Sequence, residues 1–76
     1  MVSLTDDHKY LCIATEYDNS TEIYQFNSTN FELFTVIDES DAVFSANFNK
    51  NKTLLAVSTN SGTKIYRGVI ENATQQ

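Results

Sequence analysis

Phe48-Asn49-Lys50-Asn51-Lys52-Thr53-Leu54-Leu55-Ala56-Val57-Ser58-Thr59 restates, 44 residues on, the pattern of Leu4-Thr5-Asp6-Asp7-His8-Lys9-Tyr10-Leu11-Cys12-Ile13-Ala14-Thr15. Each segment carries an apolar residue, a polar turn and then a run of apolar and small side chains. The correspondence continues from Glu22-Ile23-Tyr24 to Lys64-Ile65-Tyr66 at an offset of 42, because the turn Glu16 to Thr21 is two residues longer than Asn60 to Thr63. A period of ~40 to 45 residues marks repeat architectures in which neighbouring units share a core.

Outward from this pair the chain is punctuated by clusters of Asn, Ser, Thr and Asp, which favour turns, with no proline and only two glycines. Between them lie runs rich in Tyr, Phe, Val, Ile, Leu and Thr, too short for helices and with the composition of strands. They are Tyr10 to Thr15, Glu22 to Phe26, Phe31 to Ile37, Val43 to Phe48, Leu54 to Thr59 and Thr63 to Arg67. No helical spacing is sustained, and turn signals recur at roughly 8 to 12 residues, so the fold class is all-β, an antiparallel meander. Leu11-Cys12-Ile13-Ala14 and Leu54-Leu55-Ala56-Val57 are apolar on both sides, which predicts sheets covered on both faces.

The order "apolar, polar turn, hydrophobic strand, polar turn, Ile-Tyr" resembles the middle of a WD40 repeat, and the likeness covers nearly the whole chain. It implies about one and a half to two blades of a β-propeller, each blade a four-stranded antiparallel sheet. Residues 1–37 would form a first blade, with a clipped first strand at Val2 to Leu4, residues 42–70 an incomplete second blade, and residues 71–76 a polar tail. The family's Gly-His pair is replaced by Glu39-Ser40-Asp41. Its Trp-Asp ending appears as Tyr24-Gln25 and Tyr66-Arg67. A complete family-type hydrogen-bonded tetrad is therefore not expected, although hydroxyls remain at the ends of both central strands on Thr15 and Thr59.

Composition limits the function. A chain of 76 residues buries only about 60% of its unfolded surface. The one cysteine cannot close an intrachain disulfide, and Cys12 with His8 is too small a set for a structural zinc. The net charge of -5 disfavours nucleic acid and anionic membranes as partners. The opening Met1 to Asp7 lacks the pattern of a signal peptide, so an intracellular protein, cytoplasmic or nuclear, with a reduced thiol is expected.

No catalytic constellation emerges, so an enzyme is not expected, and no cofactor or metal is implied. Cys12 lies mid-strand between Leu11 and Ile13 and reads as a small buried hydrophobe rather than a nucleophile. His8 belongs to a polar turn; an Asp-His acid-base pair would need a nucleophile or pocket beside it. Asn60-Ser61-Gly62-Thr63 reads as a hairpin turn, since no helix follows to cradle a phosphate. The acidic clusters Asp6-Asp7 and Asp38-Glu39-Ser40-Asp41 lack the spacing of a calcium loop and read as solvated loops. The second joins the two units, and loops on a rigid scaffold concentrate binding residues, so Asp38, Glu39 and Asp41 are the expected partner-binding residues. Sequons at Asn19, Asn27, Asn51 and Asn72 are accounted for by Asn-rich turns.

The resemblance implies a non-catalytic protein-interaction or scaffold module with a protein partner. The chain reads first as a truncated fragment of a larger WD40-like protein, then as a unit docked on another protein, then as a self-assembling ring. Open strand edges point to self-association. An alternative is a phosphoinositide-binding propeller fragment, because Phe48 to Tyr66 also resembles a blade of that family. Its paired-arginine motif is missing: Arg67 is the only arginine.

Overall fold

The computed structural model describes residues 1–74, with only the backbone of 72–74, so the last two residues of the polar tail lie outside the described residues. Seven strands follow one another: β1 (Val2–Leu4), β2 (Tyr10–Thr15), β3 (Ser20–Phe26), β4 (Phe31–Asp38), β5 (Val43–Phe48), β6 (Leu54–Thr59) and β7 (Gly62–Arg67). Each pairs antiparallel with the next within two sheets, β1-β2-β3-β4 and β5-β6-β7. The chain is an all-β meander in two layers. One short helix, α1 (Val69–Thr74), follows β7.

The turns explain why the strands start where they do. After β1, Thr5 N donates to Tyr10 O at 3.0 Å and His8 N to Thr5 O at 2.9 Å. Asp7 accepts from Lys9 N at 3.0 Å. After β5, Asn49 N donates to Leu54 O at 3.0 Å and Lys52 N to Asn49 O at 3.1 Å. Asn51 accepts from Thr53 N at 3.3 Å. The side chains of Thr5 and Asn49 likewise accept from the amides of Tyr10 and Leu54. His8 and Lys52, the same position in the two turns, both take left-handed backbone at φ 61° and 62°. The same local chemistry thus folds both turns, 44 residues apart.

The second pair of turns accounts for the change of offset. Thr15 pairs with Ser20 across a four-residue loop, whereas Thr59 pairs with Gly62 across Asn60-Ser61. Each threonine hydroxyl donates to the carbonyl of its partner at 3.1 Å, so both hydroxyls are consumed inside their hairpins. Gly62 sits at φ +130°, a backbone that side-chain-bearing residues rarely adopt.

The two sheets pack face to face. Strand side chains alternate between faces, and the inward set of the first sheet is Tyr10, Cys12, Ala14 and Ile23. It meets Val43, Ala46, Leu55 and Val57 of the second in one buried cluster. β5 lies across β1, β2 and β3, and the Ser3 hydroxyl donates to Ala46 O at 2.6 Å between the layers. A bulge opposite Ile23/Tyr24 leaves Phe34 without a cross-strand partner. Its ring packs edge-on against Tyr10 with centroids 5.5 Å apart.

Two features depart from the sequence reading. The sheets are covered on one face only: Leu11, Ile13, Leu54 and Ala56 are half-buried, while Val2, Leu33 and Ile65 are exposed. A short helix, not expected from the sequence, follows β7: Gly68 turns the chain at φ 65° into α1, which runs into the polar tail, and Val69 and Ile70 pack against the shared core.

Candidate interaction surface

The outward side of the four-stranded sheet follows from its register. Val2 lies opposite Ile13, Leu4 opposite Leu11, Tyr24 opposite both Leu11 and Leu33, and Phe26 opposite Phe31. These residues form an apolar field on which Val2 is 61% exposed and Leu33 57%. The Phe26 and Phe31 rings lie 5.1 Å apart and, with Leu4 and His8, line a shallow apolar cleft. The charged residues on this face are Glu22 and Asp38, placed by pairing with Ile13 and Ser20. The Tyr24 hydroxyl donates to Glu22 at 2.8 Å, and that bond raises the Tyr24 pKa.

The outward side of the three-stranded sheet is smaller. Leu54, Ala56 and Ile65 line a groove with Asn47, and Ile65 is 57% exposed. Arg67, paired with Leu54, supplies its charge.

Two ionic clasps hold the sheets at opposite ends. At the end of the β1-β2 and β5-β6 turns, Lys52 Nζ donates to Asp7 Oδ2 and lies 5.5 Å from the centre of the Tyr10 ring. The hydrogen bond from Lys52, then those from Thr5 and Lys9, hold the Asp7 carboxyl far below the usual carboxylate range. At the other end the inter-sheet loop turns Glu39 inward until its side chain is 1% exposed. There it accepts from Lys64 Nζ at 2.8 Å and from the Tyr66 hydroxyl. Burial alone would push the Glu39 carboxyl up, but the hydrogen bonds from Lys64 and Tyr66 with the ammonium charge outweigh it, and the net shift is downward.

The three acidic residues expected to bind a partner are thereby separated. Glu39 is committed inside the chain. Asp41 accepts from the Ser61 hydroxyl of the β6-β7 turn. Asp38, at the end of β4, is exposed beside the outward field. The apolar field itself was not singled out as a site by sequence reasoning, although its signal was there in strands apolar on both sides.

The other candidates are structural. Cys12 is 1% exposed; burial pushes its thiol up to about 11, and the neighbouring Ser3 hydroxyl offsets only part of that. Such a thiol is protonated and unreactive at neutral pH. His8 sits exposed on a turn. The Asn27 side chain accepts from the amides of Thr29 and Asn30, closing the β3-β4 turn. Among the described residues no three His, Cys, Asp or Glu side chains converge on one point, and no helix is long and apolar enough to cross a membrane.

Compared with known proteins, the chain matches no family model and no curated sequence.

Proposed function

We propose that the chain is a non-catalytic protein-interaction module, a partial WD40-like propeller of two stacked blade-like sheets that binds protein through its outward faces. The observation that carries this reading is the uncovered apolar face of the four-stranded sheet, with a smaller apolar groove on the three-stranded sheet, on either side of a shared buried core. A monomeric protein seldom exposes a continuous apolar field of this kind unless something covers it. The recurring turns and the 44-residue period support the propeller likeness, and the acid-rich surface and lone arginine favour protein over nucleic acid or lipid.

The test is photo-crosslinking of the full chain in an extract of its source cells, with the reactive group at Ile65, at Leu33 or at Lys50 on a turn tip. The proposal expects protein adducts from both face positions and none from Lys50. Adducts from none of the three positions, or robust flotation of the chain with phosphoinositide vesicles, would overturn it in favour of the lipid reading or none.

A further inference from the structure

We propose that the partner is a second copy of this chain, bound head to tail, with the outward face of its four-stranded sheet on the outward face of the first copy's three-stranded sheet. This rests on the interaction-module reading above and names its partner.

The repeat places equivalent residues on opposite sides of the stack. Strand β2 maps onto β6 at an offset of 44, and β3 onto β7 at 42. In the first sheet Cys12, Ala14 and Ile23 face the interface within the chain. Their equivalents Ala56, Ser58 and Ile65 stand on the free face of the second sheet, by register with Asn47, Ser45 and Ala56. Conversely, Ala46, Leu55 and Val57 of the second sheet face the interface within the chain. Their equivalents Val2, Leu11 and Ile13 stand on the free face of the first. The same interface is therefore encoded twice. One version is closed inside the chain; the two halves of the other lie at opposite ends of the stack.

The residue types keep their complementarity. Small, small and isoleucine meet leucine, valine and alanine inside the chain; small, small and isoleucine would meet leucine, isoleucine and valine between copies. Val2 is larger than Ala46 and Ile13 larger than Val57, while Ala56 is smaller than Cys12, so the loss at Ala56 offsets part of the added volume.

Charge sets the orientation. The first sheet's free face carries Glu22 and Asp38, and the second's carries Arg67. Head-to-tail contact sets a face that carries a cation against one that carries carboxylates, although Arg67 lies level with Leu54 and the carboxylates lie toward the opposite ends of their strands. Stacking the large face on itself would set carboxylates against carboxylates, which is repulsive. Such a heterologous contact leaves one free half at each end of a pair, so it propagates until it closes. A ring of roughly four to eight sheets is the size at which twisted sheets close, which corresponds to two, three or four copies of this chain.

The test is sedimentation of the full chain, of Val2→Lys, of Ile65→Lys and of their equimolar mixture, each with a far-ultraviolet circular dichroism spectrum. Both substituted positions are exposed in the single chain, so folding is retained. The wild type is expected to sediment as two to four chains. Each variant is expected as a folded 8.6 kDa monomer, with association weakened about thirtyfold or more, the loss typical of an interface hot spot. The mixture is expected to form a species of two chains, because each variant still offers the half that the other lacks. A folded wild-type monomer, a variant that still associates with itself, or a mixture that stays monomeric would overturn head-to-tail stacking. If such a monomer still cross-links to another protein through Ile65, the interaction-module reading stands without self-stacking; if it cross-links to nothing, both fall.

Discussion

Ile23 and Ile65 occupy the same position in consecutive sheets, three residues after the start of equivalent strand pairing at Ser20 and Gly62, yet Ile23 is fully buried and Ile65 is 57% exposed. The difference lies in what stands opposite each of them. The single chain therefore predicts unequal costs of truncation. Ile23→Ala should lower stability by about 2 to 5 kcal/mol, the range for a large-to-small change in a packed core, and Ile65→Ala by less than about 0.5 kcal/mol. Urea titration at low protein concentration checks this, and equal losses would contradict the placement of the core.

Thr21 is completely buried between the sheets, and its hydroxyl has no hydrogen-bond partner among the described residues. An unsatisfied buried hydroxyl costs about 1 to 3 kcal/mol. Thr21→Val keeps the shape and removes that group, so thermal melting should rise by the equivalent of about 1 kcal/mol. A fall of similar size would show that the hydroxyl is satisfied, through a buried water.

Glu39 links acid stability to the inter-sheet loop. Its carboxyl pKa is lower in the folded chain than in the unfolded one, so the unfolded state binds the extra proton first. The stabilisation it supplies is complete above the unfolded value of about 4.3 and is lost as pH falls through the depressed folded value. Melting temperature followed from pH 6 down to pH 2 should fall more steeply for the wild type than for Glu39→Gln. Asp7, lowered by Lys52, Thr5 and Lys9, adds a second acid-sensitive group, so the slope in Glu39→Gln is reduced without vanishing. Parallel profiles would contradict the buried clasp.

Cys12 reports on the packing of the sheets against each other. With its thiol pushed up to about 11 and 1% exposed, it should resist alkylation at pH 8 in the native chain. It should then react at the rate of a free thiol once urea has unfolded the protein. Labelling quantified by intact mass is the readout, and rapid native labelling would mean that the two layers do not close over β2.

Much of this architecture was legible in the residues. Tyr10–Thr15, Val43–Phe48 and Leu54–Thr59 begin and end where the β-branched and aromatic runs meet polar turns. β3 starts two residues earlier than the apolar pattern suggests, because Ser20 and Thr21 are polar yet pair with Thr15 and Ala14. The inward turn of Glu39 was hidden, since it depends on Lys64 and Tyr66, 25 and 27 residues away. Helix α1 was hidden for another reason: Val69 and Ile70 are too few to display a helical period, and it is packing on the core that fixes them.

The β2-β3 pattern recurs in β6-β7, and the interface proposed between copies would use the two outward faces. The most direct measurement is an isotope-filtered methyl NOE experiment on a mixture of labelled and unlabelled full-length chains. Contacts are expected from Ile23 to Leu55 or Val57 within one chain, and from Ile65 of one chain to Val2 or Ile13 of another. Ile65 methyls that meet only solvent, in a sample where the Ile23 contacts are present, would contradict that interface.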